Sequence, residues 1–107
     1  MCGRFTLTTN PAEAQDAFSG FGFPLVFAPR FNIAPSQPLL AIPNDNNQKA
    51  TFFLWGFMPT WAKDSSFERR LINARGETLA EKPSFKGAYK YRRCLILADG
   101  FYEWKAE

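Results

Sequence analysis

Four prolines fall within the eighteen residues FGFPLVFAPRFNIAPSQP at 21–38, and no long regular element survives that density. Each proline removes a backbone donor and fixes its own φ, so this stretch is expected to be a loop packed down by its phenylalanines. Regular structure is thereby confined to short segments on either side. Arg4–Leu7 reads as a strand. Asn10, Pro11 and Glu13 supply an N-cap, a first-turn proline and an acid three residues after the cap. A helix of about two turns is predicted to follow, ended by Gly20 and Gly22.

Pro38–Ile42 and Ala50–Phe57 are apolar runs joined by PNDNNQ, whose Asn and Asp residues accept turn dihedrals readily, which predicts an antiparallel hairpin. The segment MPTWAKDSSFERRLINARGE (58–77) reads as a loop running into a helix near Glu77–Glu81 that Pro83 stops. Arg92–Ala98 has the pattern of a strand buried on both faces. An Asp99–Gly100 turn then leads into a second apolar run, FYEW, with no later strand to pair with it. The expected class is α+β, mainly antiparallel strands with short helices.

A chain of 107 residues that is 46% apolar builds one small core, so a single domain over 1–107 is expected. Its twelve Phe, three Trp and three Tyr suit either a tightly filled core or a surface on which bases stack, and composition does not separate the two. Lys63–Arg93 holds nine of the thirteen basic residues but four of the ten acids. That bias describes a solvated face or a nucleic-acid partner. The two cysteines, Cys2 and Cys94, form neither a disulfide framework nor a metal-ligand repeat, and no histidine is present to complete a zinc site. No metal or cofactor is expected. The sequence lacks a signal segment and has no apolar run near the ~20 residues of a membrane span, which predicts a cytoplasmic protein, or a nuclear one in a eukaryote.

Removal of Met1 would give Cys2 a free α-amine beside its thiol. An aldehyde, such as the ring-opened form of a baseless deoxyribose, condenses with the amine to an imine, and the thiol closes a five-membered thiazolidine. Ordinary α-amines and thiols titrate near about 7.7–8.0 and about 8.5, leaving useful neutral amine and thiolate at neutral pH. A buried cysteine placed there by chance is the competing reading. Asn73 and Arg75, in LINARGE, could hold an amine or sugar oxygen and grip a phosphate, or could be a helix cap and a surface charge. Glu103 within FYEW is expected to meet desolvation that suits proton transfer, unless it faces solvent. Trp55, Trp61 and Phe67 lie near Lys63, Arg69 and Arg70, the mixture found where single strands stack over a basic groove; Trp61, in a proline-bounded loop, is the better contact candidate. Cys94 is expected to be an inert packing residue and Asp99 a turn residue.

Taken together, MCGRF at the start, FNIAPSQ at 31–37, WGFMPTWAKD at 55–64, LINARGET at 71–78 and CLILADGFYEWK at 94–105 resemble the SRAP family, the SOS response-associated peptidase or abasic-site processing domain. The resemblance spans nearly the whole chain in the family's order. It implies a barrel-like sheet and a DNA-damage function: covalent capture of abasic sites in single-stranded DNA by a thiazolidine crosslink through the terminal cysteine. Cys2 matches that nucleophile, Asn73 the asparagine beside it, and Glu103 the catalytic glutamate. Arg4 and Arg75 match phosphate or sugar contacts, and Trp61 and Pro35 match positions near the DNA path. The peptidase label implies autoproteolytic exposure of the cysteine. The family also carries a later histidine in a His-x-Arg-Met-Pro stretch, and this sequence has none. The chain is therefore expected to be the N-terminal part of an SRAP domain, with the remaining part as a partner. A thiol-dependent peptidase or amidohydrolase using Cys2, and a non-catalytic single-strand-binding fragment, are the rival readings.

Overall fold

A computed structural model describes residues 2–63 and 70–105. Six strands and two helices follow the order β1 (Phe5–Leu7), α1 (Pro11–Ala17), β2 (Arg30–Ile33), β3 (Pro38–Pro43), β4 (Thr51–Leu54), α2 (Lys86–Tyr91), β5 (Cys94–Ile96) and β6 (Gly100–Phe101). They form two antiparallel three-stranded sheets, ordered β2-β1-β6 and β4-β3-β5. The class is α+β. Among the described residues the sheets stay separate and no closed barrel forms.

The N-terminal half follows local rules. Asn10 caps α1 by accepting from the Glu13 amide at 2.9 Å, with Pro11 at the first helical position. The predicted hairpin is β3–β4, with Leu39 opposite Phe53 and Leu40 opposite Phe52. Pro38 and Pro43 sit at the two ends of β3, where a missing donor interrupts least.

The proline-rich stretch is not all loop. Arg30–Ile33 lies between Pro29 and Pro35 and pairs with β1, Phe5 against Ile33 and Leu7 against Arg30. The prolines bracket this strand rather than break it, and its partner lies outside any local window. Arg30 then holds the next turn by donating to the Pro38 carbonyl and to Gln37 Oε1.

Three further expectations are corrected. The stretch around Glu77–Glu81 is a series of turns, with Thr78 N–H bonded to the Arg75 carbonyl and Glu81 N–H to that of Thr78. Pro83 lacks a donor and restricts Lys82, so a regular helix begins only beyond it, at Lys86. The apolar strand β5 is exposed along its length, Leu95 at 59% and Ile96 at 52%: among the described residues it pairs with β3 alone and lies at the sheet edge. The FYEW run does have a partner: β6 pairs with β1, and the Tyr102 amide continues the ladder to the Arg4 carbonyl at 3.0 Å.

The core gathers Phe5, Leu7, Ile33, Leu39, Leu40, Ala41, Ile42, Ala50 and Leu97, with Cys2, Phe23 and Trp55 packed against it. Phe5 is the one buried aromatic among the described residues, meeting Trp55 at 5.4 Å between ring centroids. Most of the aromatic load lies outside the core: Phe31, Trp61, Tyr91, Phe101 and Trp104 are all largely exposed.

Gly56 marks a close approach that positions the site. Its φ is +153°, and a Cβ there would lie 3.0 Å from Arg70 Cδ and 3.3 Å from Arg70 Cβ, while Arg70 Nη1 donates to the Gly56 carbonyl at 3.0 Å. Gly56→Ala would have to push Arg70, and with it the segment leading to Asn73, off the end of β4. We expect it to destabilise the fold by about 1–3 kcal/mol, the range for overpacking a fitted contact. Urea unfolding of the variant checks this; an unchanged midpoint would show that the contact yields freely.

Candidate functional site

Cys2 enters the fold just ahead of β1, half-buried against the core, with its thiol 3.6 Å from the Arg4 carbonyl. Asn73 reaches it from 71 residues away, donating from Nδ2 to the Cys2 carbonyl at 2.9 Å. The reach is set by the segment before Asn73, which is laid against the end of β4. Phe57 and Leu71 exchange backbone hydrogen bonds of 2.7 and 2.9 Å, and the Trp55 indole donates to the Ile72 carbonyl at 3.2 Å. LINARGE therefore acts here as a strap rather than as a helix cap.

Beside Cys2 a cavity of about 920 Å³ is lined by Gly3, Arg4, Phe31, Asn32, Tyr102 and Glu103, with Trp104 at its side. A Cβ on Gly3 would meet nothing within 4 Å, so packing alone does not demand glycine there. Arg4 is held in place by Asn32, whose Oδ1 accepts from Nη1 at 3.2 Å, and Tyr102 donates from Oη to the Phe31 carbonyl at 2.8 Å. Glu103 lies at this cavity but is exposed, so the burial expected from its aromatic neighbours is absent: β6 ends at Phe101 and sits at the sheet edge.

Asn73 thus meets Cys2, whose thiol faces the Arg4 carbonyl, and Arg4 lines one cavity with Glu103. The remaining candidates line other parts of the described surface or turns. Arg75 is exposed at the start of the turns that follow the strap, and Pro35 is half-buried in the turn between β2 and β3. Trp61 is 64% exposed and shares a separate cavity with Lys86 and Arg92, so its basic neighbours come from α2 and its surroundings. Met1, Phe67 and Arg69 lie outside the described residues. Cys94 is exposed rather than packed inside, although burial around its sulfur pushes the thiol up.

Two residues carry more than their sequence context suggested. Asn32 orients Arg4, and Asp99, read as a turn residue, clamps β6 to the end of β1. One Asp99 oxygen accepts from the Thr6 hydroxyl at 2.6 Å; the other accepts from the amides of Thr8 and Thr9 at 2.6 and 2.8 Å and from both hydroxyls. Threonines spaced along TLTT, together with an acid before glycine, were the available signal, but only the pairing of β1 with β6 brings them together. Gly100 fits this join, since a Cβ there would lie 2.9 Å from Thr6 Oγ1.

With the Cys2–Asn73 contact and the cavity of Arg4 and Glu103 described, comparison assigns the class. The model for the SOS response associated peptidase (SRAP) family matches residues 1–107, and the chain belongs to that family. It is 45% identical over 111 residues to the abasic site processing protein YoqW of Bacillus subtilis (strain 168), covering 98% of this chain and 48% of that relative. It is 46% identical over 108 residues to YoaM of the same organism, with the same coverage, and 37% identical over 92 residues to HMCES of Rattus norvegicus, covering 74% of this chain and 26% of that protein. All three are named abasic site processing proteins. The chain spans about half the length of the Bacillus relatives it matches. Among the described residues no helix is long and apolar enough to cross a membrane.

Proposed function

We propose that this chain carries the nucleophile-bearing part of a domain that captures abasic sites in single-stranded DNA covalently. The observation that carries the reading is the Asn73–Cys2 hydrogen bond beside a cavity lined by Arg4 and Glu103. The names of the relatives supply the substrate class.

The reaction begins once Met1 is removed, by autoproteolysis in keeping with the family's peptidase label. The Cys2 amine adds to C1′ of the ring-opened sugar aldehyde and one water leaves, giving an imine. The Cys2 thiol then adds across the C=N bond, its proton passing to nitrogen, and the thiazolidine closes. The net loss is one water. Glu103 moves protons during sugar ring opening and water loss, and its exposed position lets it exchange them with solvent. Asn73 fixes the approach of the amine by gripping the carbonyl of the same residue. Arg4 and Arg75 hold phosphates, and Trp61 and Pro35 lie along the strand's path. The steps call for no metal or cofactor. Residues 1–107 form the first part of the domain, and the remainder, of the kind the longer relatives carry, is the partner that completes a barrel-like sheet.

Incubating the Met1-processed protein with abasic and intact single strands, then running a denaturing gel, tests the reading. The expected result is a shifted band with the abasic strand alone. Salt-sensitive binding to both strands with no covalent band, from protein joined to the rest of its domain, would replace capture with simple single-strand binding.

A further inference from the structure

The helix α2 carries a second patch that the Cys2 chemistry does not use. Lys86, Tyr89, Lys90, Tyr91 and Arg93 line a cavity of about 710 Å³ on one side of it, and Trp61 and Arg92 share one of about 280 Å³ on the other. Lys86 and Gly87 line both, and among the described residues neither lining includes an acidic one. Four cations thus fall within eight residues, interleaved with two tyrosines.

The cations and rings are pre-arranged. The Arg93 guanidinium lies 3.9 Å from the Tyr89 ring centroid while its Nε donates to the Tyr89 carbonyl at 2.7 Å, and Lys90 Nζ lies 5.2 Å from the Tyr91 ring centroid. Arg93 is further fixed through its backbone, whose amide donates to Asn44 Oδ1 at 3.0 Å. Lys86 and Lys90 remain exposed, and Tyr91 is 66% exposed. Fixed rings alternating with cations suit a polymer that alternates flat bases with phosphates.

The patch is also joined to the Cys2 site. Asn73 bonds Cys2, the same strap pairs Leu71 with Phe57, and the Phe57 ring meets that of Phe85, the N-cap residue just before α2, at 5.6 Å. We propose that the α2 face is a second contact for single-stranded DNA, holding the backbone on one flank of the strand that the Cys2 cavity engages. Lys86, Lys90, Arg92 and Arg93 meet phosphates, and Tyr91 stacks a base. This rests on the abasic-site reading for its biological substrate.

The test uses an intact single strand of about 20 nucleotides, which cannot crosslink, so its outcome stands apart from that of the capture reaction. Affinity is measured by fluorescence anisotropy over a salt series for the wild type, for Lys86→Gln/Lys90→Gln, and for Lys49→Gln, whose side chain lines neither cavity. Loss of two phosphate contacts should weaken binding of the double variant about tenfold and reduce the salt slope by about 1.4, at about 0.7 per phosphate on single strands. Lys49→Gln should leave both unchanged. An unaltered affinity in the double variant, or an equal effect per charge from Lys49→Gln, would overturn the patch as a site. A covalent band with abasic DNA alongside that result would leave the capture reading intact.

Discussion

Cys2→Ser is expected to bring the denaturation-stable adduct with abasic single-stranded DNA from most of the strand down to background, while a borohydride-reducible adduct persists. The two halves of that result follow from the two groups on one residue. Serine keeps the α-amine, and Asn73 still reaches the residue-2 carbonyl, so condensation with the aldehyde proceeds to an imine. A hydroxyl is a far poorer nucleophile than a thiolate at neutral pH, so the second ring closure fails and the imine hydrolyses. Borohydride reduces the imine before it reverts and traps the strand. Protein that retains Met1 should give no stable adduct, because its residue-2 nitrogen is an amide and cannot close the thiazolidine. A stable adduct of Cys2→Ser equal to wild type would remove the thiol from the mechanism, and with it the reason for a cysteine at this position.

The second large effect concerns stability. Asp99→Asn is expected to cost about 1–2 kcal/mol at neutral pH, the scale of losing a capping carboxylate where water can take over part of its role. The Thr6 hydroxyl first, opposed by desolvation as the next largest effect, and then the Thr8 amide and the hydroxyl and amide of Thr9 hold the Asp99 carboxyl well below the usual carboxylate range. A group whose folded-state pKa is depressed stabilises the fold above its unfolded value, near about 3.9, and loses that contribution as pH falls toward its folded value. The difference between wild type and Asp99→Asn should therefore be constant above about pH 5 and shrink below about pH 4. Urea unfolding of both proteins across this range measures it. Equal midpoints at neutral pH would show that the five hydrogen bonds do no more than water does. Because the clamp joins β1, which follows Cys2, to β6, which precedes Glu103, the variant should also slow capture.

Local chemistry in the sequence was enough for the elements whose partners are sequence neighbours. The Asn10–Pro11–Glu13 start of α1 and the β3–β4 hairpin were readable because cap, turn and pairing all lie within a few residues. Arg30–Ile33 was not readable as a strand, because β1, its partner, is more than twenty residues away and the flanking prolines argue locally for a loop. The exposure of β5 was equally hidden: CLI has the composition of a buried strand, and composition does not reveal that it lies at an edge.

The candidate site divides in the same way. Cys2, Asn73 and Glu103 were singled out from chemistry and resemblance, but the contact between Cys2 and Asn73 depends on a strap held by Trp55, Phe57 and Gly56. The clamp of Asp99 on Thr6, Thr8 and Thr9 crosses at least ninety residues, so only the folded pairing makes it visible. Trp61 was singled out for the basic residues near it in sequence, whereas in the fold it shares its cavity with Lys86 and Arg92.

Intact mass measurement of the protein incubated with an abasic single strand tests the central claim most directly. The account predicts a species lacking Met1 whose mass is the sum of protein and strand less one water, unchanged by borohydride and absent from Cys2→Ser. An adduct that gains two hydrogens on borohydride treatment would stop the chemistry at the imine. No adduct from Met1-processed protein joined to the rest of its domain would contradict covalent capture through Cys2 altogether.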